Sequence, residues 1–433
     1  MEKKKIIAIL IILAVILLLI FVYFREDKTD INKKPIVEIT YPKDGAVVSK
    51  IVTISGNATD TDGNENIERV EVSINNGWEI AEGNNLWSYE WRIFDIEDGF
   101  YTIKVRCWDG TSYSEIKEII IEIDNPEIVE NDAHKWAVFI AASNFPEENE
   151  SKLGNGALNL AEKMSTYFIE NLGYSTSNII LLFDDGWFRE NNGYGKPIYT
   201  LDQRRHEYDI TYGGATKETL VSTLNYVVEE SNKFSDSEIF IWVSSHGCGD
   251  SNKELFGGRL LKQSAFYLWD NILTDKELSK LLSGFKSNKI CVIIDACYSG
   301  GFADKTILNL PELILFRSQL TKSGRVIMTS ASKFRVGYAS TTEGPLFSQL
   351  WFYGIISANA DGFRPGILKI GRPTRLKIFK DGKVSVEEAF YYARFILKTS
   401  ENLEDYSKME PKINDKYPRR GFIGSIKGLI LGE

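Results

Sequence analysis

The hydrophobic pattern of this chain changes period at Asn125-Pro126, and that change limits the fold more than any other feature. Downstream, short and nearly continuous apolar runs alternate with helical stretches. Residues 136–142, 178–183, 238–244, 289–295 and 324–330 read as strands. Gly156 to Leu172 has helical period, with Leu158, Ala161, Met164 and Phe168 on one face, and Lys217 to Glu230 reads as a second helix. Thr274 opens a third, with Glu277 in the position that closes a capping box. Apolar strands between amphipathic helices predict a mostly parallel α/β sheet covered on both faces. Ligands of such sheets sit beyond the carboxyl ends of the strands.

Upstream, from Pro35 to Asp124, the period is two. Val37 to Thr40, Val52 to Ser55, Val70 to Ile74, Tyr101 to Val105 and Ile119 to Ile123 carry β-type apolar runs, most of them alternating with polar residues. Turn signals separate them, among them Asp44-Gly45, Asp62-Gly63, Asn76-Gly77, Asp98-Gly99 and Asp109-Gly110. Short strands at this spacing predict a β-sandwich. With Trp87, Trp91 and the closing segment from Gly99 to Asp109, the stretch resembles the bacterial immunoglobulin-like modules of surface proteins.

The N-terminus adds a third element. Lys3, Lys4 and Lys5 precede an apolar run from Ile6 to Phe24. About twenty such residues span a bilayer as a helix. No small-x-small cleavage site follows, so the run is expected to be an uncleaved anchor, with a cleaved signal as the alternative. The expected organisation is an anchor over 1–24, a polar linker over 25–34, a sandwich over 35–125 and an α/β domain over 126–433. Basic residues flank the anchor on both sides. The domain content tips the expected placement of the body to the outside of the cytoplasm, on a single-pass cell-membrane protein.

A net charge of −9 disfavours nucleic acid as the main partner, because phosphate binding needs clustered Lys and Arg. The four cysteines, Cys107, Cys248, Cys291 and Cys297, are as scattered as the three histidines. Neither a zinc site nor a disulfide framework follows, and no cofactor is expected. Asp60, Asp62, Asn64 and Glu71 fit a calcium loop only superficially, since Glu65 stands where that loop needs Gly. Asp381 to Glu388 resembles half of such a loop, but Lys377 and Phe379 occupy its first ligand positions.

One cysteine and one histidine stand apart. A predicted strand runs into Ser244-Ser245-His246-Gly247, and another into Asp295-Ala296-Cys297-Tyr298-Ser299-Gly300-Gly301. Both residues end apolar strands and both lie in the same α/β region. A thiol needs a nearby base to become a nucleophile, and the resulting imidazolium can protonate a leaving amine. Gly247 allows close backbone approach, and its N–H with that of Cys297 would serve a tetrahedral oxyanion.

His-Gly after one strand and Asp-Ala-Cys-x-Ser-Gly after a later one resembles the signature of the caspase/legumain superfamily of cysteine peptidases. Trp136 to Asn144, Asp184-Asp185, Tyr208-Asp209, Tyr212 to Thr216, Thr329 to Ser332, Tyr338 and Phe347-Ser348 resemble segments of its legumain-type branch. The resemblance covers roughly 134–350. It implies a Cys297–His246 dyad with Gly247 in the oxyanion hole, and a protein or peptide substrate contacted by Asp295, Ser330 and Ser332. The Arg-His pair that legumain-type enzymes carry after the first strand is absent between Asn144 and Gly156. Without that Arg, the acid at Asp295 is expected to select Arg or Lys before the cleaved bond; the alternative is that Asp295 caps its own turn. Two other functions stay open, a transamidase or ligase using the same dyad and a non-catalytic surface binding protein. Cys248, Cys107 and Cys291 are expected to be bystanders, and His134 and His206 loop residues. The oligomeric state is not assigned.

Overall fold

A computed structural model of the protein describes residues 13–16, 32–126, 134–145, 152–204, 207–249, 264–303, 320, 322–365, 374–376, 379–418 and 428–433. Most of the expected anchor and linker, and His206, lie outside the described residues. Residues 13–16 are helical. Among the described residues no helix is long and apolar enough to cross a membrane.

The chain divides into two compact units. One comprises Met1–Thr40, Gly56–Ser88 and Ile103–Glu118; the other comprises Tyr41–Ser55, Tyr89–Thr102 and Ile119–Glu433. The N-terminal strands are β1 (Ile36–Tyr41), β2 (Ile51–Thr59), β3 (Arg69–Ser73), β4 (Leu86–Arg92), β5 (Gly99–Trp108) and β6 (Lys117–Ile123). They fall into two sheets, β1-β2-β4 and β6-β5-β3, each extended by two-residue strands. Alternation in the sequence becomes alternation of burial: Ile103, Val105 and Cys107 of β5 are buried while Lys104 and Arg106 are not. Trp87 is fully buried, and a Cβ at Gly56 would strike its indole at 2.5 Å and the Glu38 carbonyl at 1.9 Å. Glycine there is a packing requirement.

The α/β part is a seven-stranded sheet among the described residues. Its strands are β7 (Lys135–Ala142), β8 (Ile179–Phe183), β9 (Thr211–Gly213), β10 (Glu238–Ser245), β11 (Lys289–Asp295), β12 (Arg325–Thr329) and β13 (Lys412–Asp415). Their spatial order is β9-β8-β7-β10-β11-β12-β13. All neighbours are parallel except β12 and β13. The expected mostly parallel sheet is therefore present, with one antiparallel edge. The order reverses direction between β7 and β10, and the crevice beyond such a reversal is where open α/β sheets bind ligands.

Two apolar layers cover the sheet. One face sends Ala137, Phe139, Phe240 and Trp242 into a core with α1 (Gly156–Leu172), α4 (Leu346–Ile356) and α5 (Val386–Thr399). The alternate residues, including Trp136, Val138, Ile239 and Ile241, meet α2 (Lys217–Ser231) and α3 (Asp275–Leu282). α3 starts on the capping box that the sequence predicts, with Thr274 accepting the Glu277 N–H and the Glu277 carboxylate accepting the Thr274 N–H. Cys291 is fully buried in β11, as expected of a core thiol.

Phe240 sits at the centre of the first layer. Its ring lies 4.8 Å from Phe168, 5.7 Å from Phe139 and 5.8 Å from Trp351, centroid to centroid. Truncating a buried Phe costs about 3–5 kcal/mol. Phe240→Ala should lower the urea midpoint accordingly with the slope unchanged. A loss under about 1 kcal/mol would mean that this layer is not packed as described.

Candidate active site

The site begins with a strand register. β10 and β11 are parallel neighbours with Ser244 opposite Asp295. His246 and Cys297 each lie two residues further on. Neighbouring strands are about 4.8 Å apart, so both residues leave the sheet from adjacent positions at its carboxyl edge. Both are partly exposed.

Beyond His246 the chain turns into a small antiparallel sheet. Gly247–Gly249 pairs with Ser264–Tyr267, which pairs in turn with Ile272–Thr274. Cys248 therefore lies within a short strand, opposite Ala265. Burial raises its thiol above the ordinary value. Gly247 is tight against the neighbouring segment: a Cβ there would fall 2.0 Å from the Cys297 carbonyl oxygen and 3.0 Å from the Ala296 Cβ. Only a residue without a side chain fits.

The imidazole of His246 is framed by rings. Phe145, just past β7, stacks on it at 5.5 Å and 28°. Tyr267 meets it edge-on at 6.5 Å and donates its backbone N–H to the His246 carbonyl at 3.0 Å. None of these aromatic partners stood out in the sequence. No local pattern marks them, because they come from separate segments.

Cys297 stands at the apex of a sharp turn. Tyr298 is left-handed, with φ of 56°, and donates its N–H to the Arg335 carbonyl. Such a conformation costs a non-glycine residue about 1–3 kcal/mol and clusters at functional sites. Ser299–Ala303 follows as a 3-10 turn. Gly300 and Gly301 pack against Lys333 and Ser264, where a Cβ would clash at 2.5 Å in each case. The thiol points toward the Gly337 carbonyl oxygen, 3.8 Å away. Burial pushes the Cys297 thiol up and nearby Asp295 adds to that, while backbone hydrogen bonding at Gly337 and Gly247 opposes it. A thiol held in this way needs a base to become a nucleophile.

Asp295 is buried beneath this turn. Its Oδ2 accepts the backbone N–H of Ser348 at 2.9 Å and the Ser348 hydroxyl at 2.8 Å. Trp242 Nε1 donates to the same hydroxyl at 2.9 Å. Burial raises the carboxyl to about 6 against the hydrogen bonds of Ser330 and Ser348. Asp295 thus ties the first turn of α4 to the end of β11, rather than capping its own turn. Ser330 is buried, 3.4 Å from the Ala296 carbonyl that its hydroxyl approaches. Ser332 is buried too, and its hydroxyl finds no partner among the described residues. The structure therefore gathers His246, Gly247, Asp295 and Cys297 at one edge, with Ser330 at the end of the adjacent strand β12 and Ser332 two residues on, against Gly300.

The remaining candidates lie elsewhere. His134 pairs with Asp236 at 2.7 Å on the opposite edge of the sheet. Glu71 is engaged by Arg69 and Arg106. Among the described residues no group of acidic, His and Cys side chains could hold a metal ion.

No curated protein matches the chain. Among solved structures, caspase-1 from Spodoptera frugiperda is similar over 67% of this chain and 89% of its own, at 13% identity and a TM-score of 0.37. An endo-beta-1,4-mannanase from Thermotoga petrophila is similar over 23% of this chain and only 22% of its own, at 17% identity and a TM-score of 0.20. At these TM-scores neither likeness bears on activity, and the description of the α/β sheet rests on its own strand order. The N-terminal strands are more definite, because residues 35–105 match the family described as bacterial Ig domain.

Proposed function

We propose that the chain is a cysteine endopeptidase of the caspase/legumain kind. The observation that supports this reading is the β10–β11 register, with Ser244 opposite Asp295, from which His246 and Cys297 each follow by two residues, and Gly247 close against the Cys297 backbone. His246 takes the thiol proton as Cys297 Sγ attacks the peptide carbonyl, forming a C–S bond and an oxyanion. The backbone N–H groups of Gly247 and Cys297 hold that oxyanion. The C–N bond then breaks as His246 returns the proton to the leaving amine. Water, deprotonated by His246, attacks the thioester; the C–S bond breaks as the imidazolium returns that proton to Cys297 Sγ, and the acid is released.

For specificity, we propose cleavage after Arg or Lys. Asp295 is a buried carboxyl bonded to the Ser348 N–H and hydroxyl, and a basic side chain would offer it a charge-assisted hydrogen bond. Its existing bonds to Ser348 fix its position without neutralising it. We further propose that the run from Ile6 to Phe24 anchors the protein in the cell membrane with residues 25–433 outside the cytoplasm.

Three tests follow from these assignments. Cys297→Ala should abolish peptide hydrolysis, and His246→Ala should slow it at least about a hundredfold, the scale of general acid–base catalysis. Gly247→Ala should be nearly as damaging, since its Cβ would displace the Cys297 carbonyl. Cys248→Ala should matter little; if it kills activity while Cys297→Ala spares it, the nucleophile is misassigned. For specificity, peptides differing only at the residue before the cleaved bond should be turned over faster with Arg or Lys than with Asn. Asp295→Asn should erase at least about tenfold of that preference, the size of one charge-assisted interaction. Faster cleavage of the Asn peptide by the wild type would sink it. For topology, protease added outside intact cells should remove the body and leave the anchor, whereas protection until lysis would reverse the orientation.

A further inference from the structure

Four planar groups from four chain segments form a column that ends on His246. Phe145 stacks on the imidazole. Trp269 stacks on Phe145 at 6.4 Å and 13°. The Arg189 guanidinium lies over the Trp269 ring at 4.8 Å. Arg189 is itself fixed by two hydrogen bonds to Asp185, at 2.7 and 2.5 Å, and the pair is nearly buried. The neighbouring Asp184 anchors the other side. It is fully buried and accepts the backbone N–H groups of Ser143 and Asn144 at 2.6 and 3.2 Å, with Asn144 Nδ2 at 2.7 Å. One Asp-Asp turn after β8 therefore secures both the chain that leads into Phe145 and the cation that backs Trp269.

We infer that Phe145, backed by Trp269 and Arg189, is a positioning residue for His246. The inference rests on the peptidase reading above. Each misplacement of the imidazole lowers the fraction of time it faces the thiol. Stacking on a fixed ring limits such misplacement, because aromatic pairs favour offset, near-parallel faces. Phe145 can do so only if it is itself immobile. Asp184 holds the backbone of the two residues before Phe145, and Trp269 stacks on its ring. The guanidinium on Trp269 adds a cation–π contact whose charge Asp185 balances. A group acting through another at such remove changes rate by geometry, and small errors in position are costly to catalysis.

The test reads the rate at which iodoacetamide alkylates Cys297, followed by mass spectrometry on a Cys248→Ala background at constant pH. It needs no peptide substrate. His246→Ala should slow alkylation in the otherwise unaltered protein; if it does not, the dyad itself is wrong and the peptidase reading falls with it. Given that slowing, Phe145→Leu, which keeps apolar bulk but loses the ring face, should slow alkylation about tenfold, while Phe145→Tyr should stay within about threefold of the parent. Trp269→Leu should slow it less than Phe145→Leu does. The double variant should be no slower than Phe145→Leu alone, since Trp269 acts only through Phe145. A merely structural role predicts additive losses and no rescue by Tyr. Should Phe145→Leu fail to fold, Phe145→Met carries the same comparison. An unchanged rate in the Leu or Met variant, or additive effects in the double variant, overturns the inference and leaves the dyad standing.

Discussion

The pairing of β10 with β11 is the constraint on which the rest of the site depends. Parallel strands advance together, so fixing Ser244 opposite Asp295 fixes everything downstream of both. A slip of one residue would turn every side chain of a strand to the other face and separate the reactive pair. That register is held by burial on both sides. Phe240 and Trp242 enter one apolar layer and Ile239 and Ile241 the other, so a one-residue slip would exchange aromatic and aliphatic side chains between two packed layers.

The turns beyond these strands are built for close approach. Gly247, Gly300 and Gly301 each leave space that a neighbouring backbone or side chain already occupies. Tyr298 accepts a left-handed backbone so that Cys297 can stand at the apex. Asp295 joins this arrangement to the helix layer through Ser348, and Trp242 reaches the same hydroxyl from β10. One short hydrogen-bonded network thus links both strands that carry the proposed dyad to the first turn of α4. A buried network of this kind rigidifies a site when its members are satisfied.

Electrostatics and packing divide the work. Burial disfavours both the Cys297 thiolate and the Asp295 carboxylate, and hydrogen bonds oppose it at each. Aromatic groups, which carry no net charge, frame the imidazole.

Much of this was legible in the chain. The period change at Asn125-Pro126, the parallel sheet, the α3 capping box, the buried Cys291 and the two strand ends bearing His246 and Cys297 all follow from local pattern, because hydrophobic periodicity and capping are local physics. The sequence also singled out Asp184-Asp185 and Ser348, though without roles. Tertiary structure alone decided which strands are neighbours, that Cys248 lies in a strand of its own, that Asp295 bonds to a helix rather than to its own turn, and that Ser330 and Ser332 lie buried. It alone assembled Arg189, Trp269, Phe145 and His246 into a column. Their separations along the chain carry no period, and stacking depends only on where the folded backbone brings the rings.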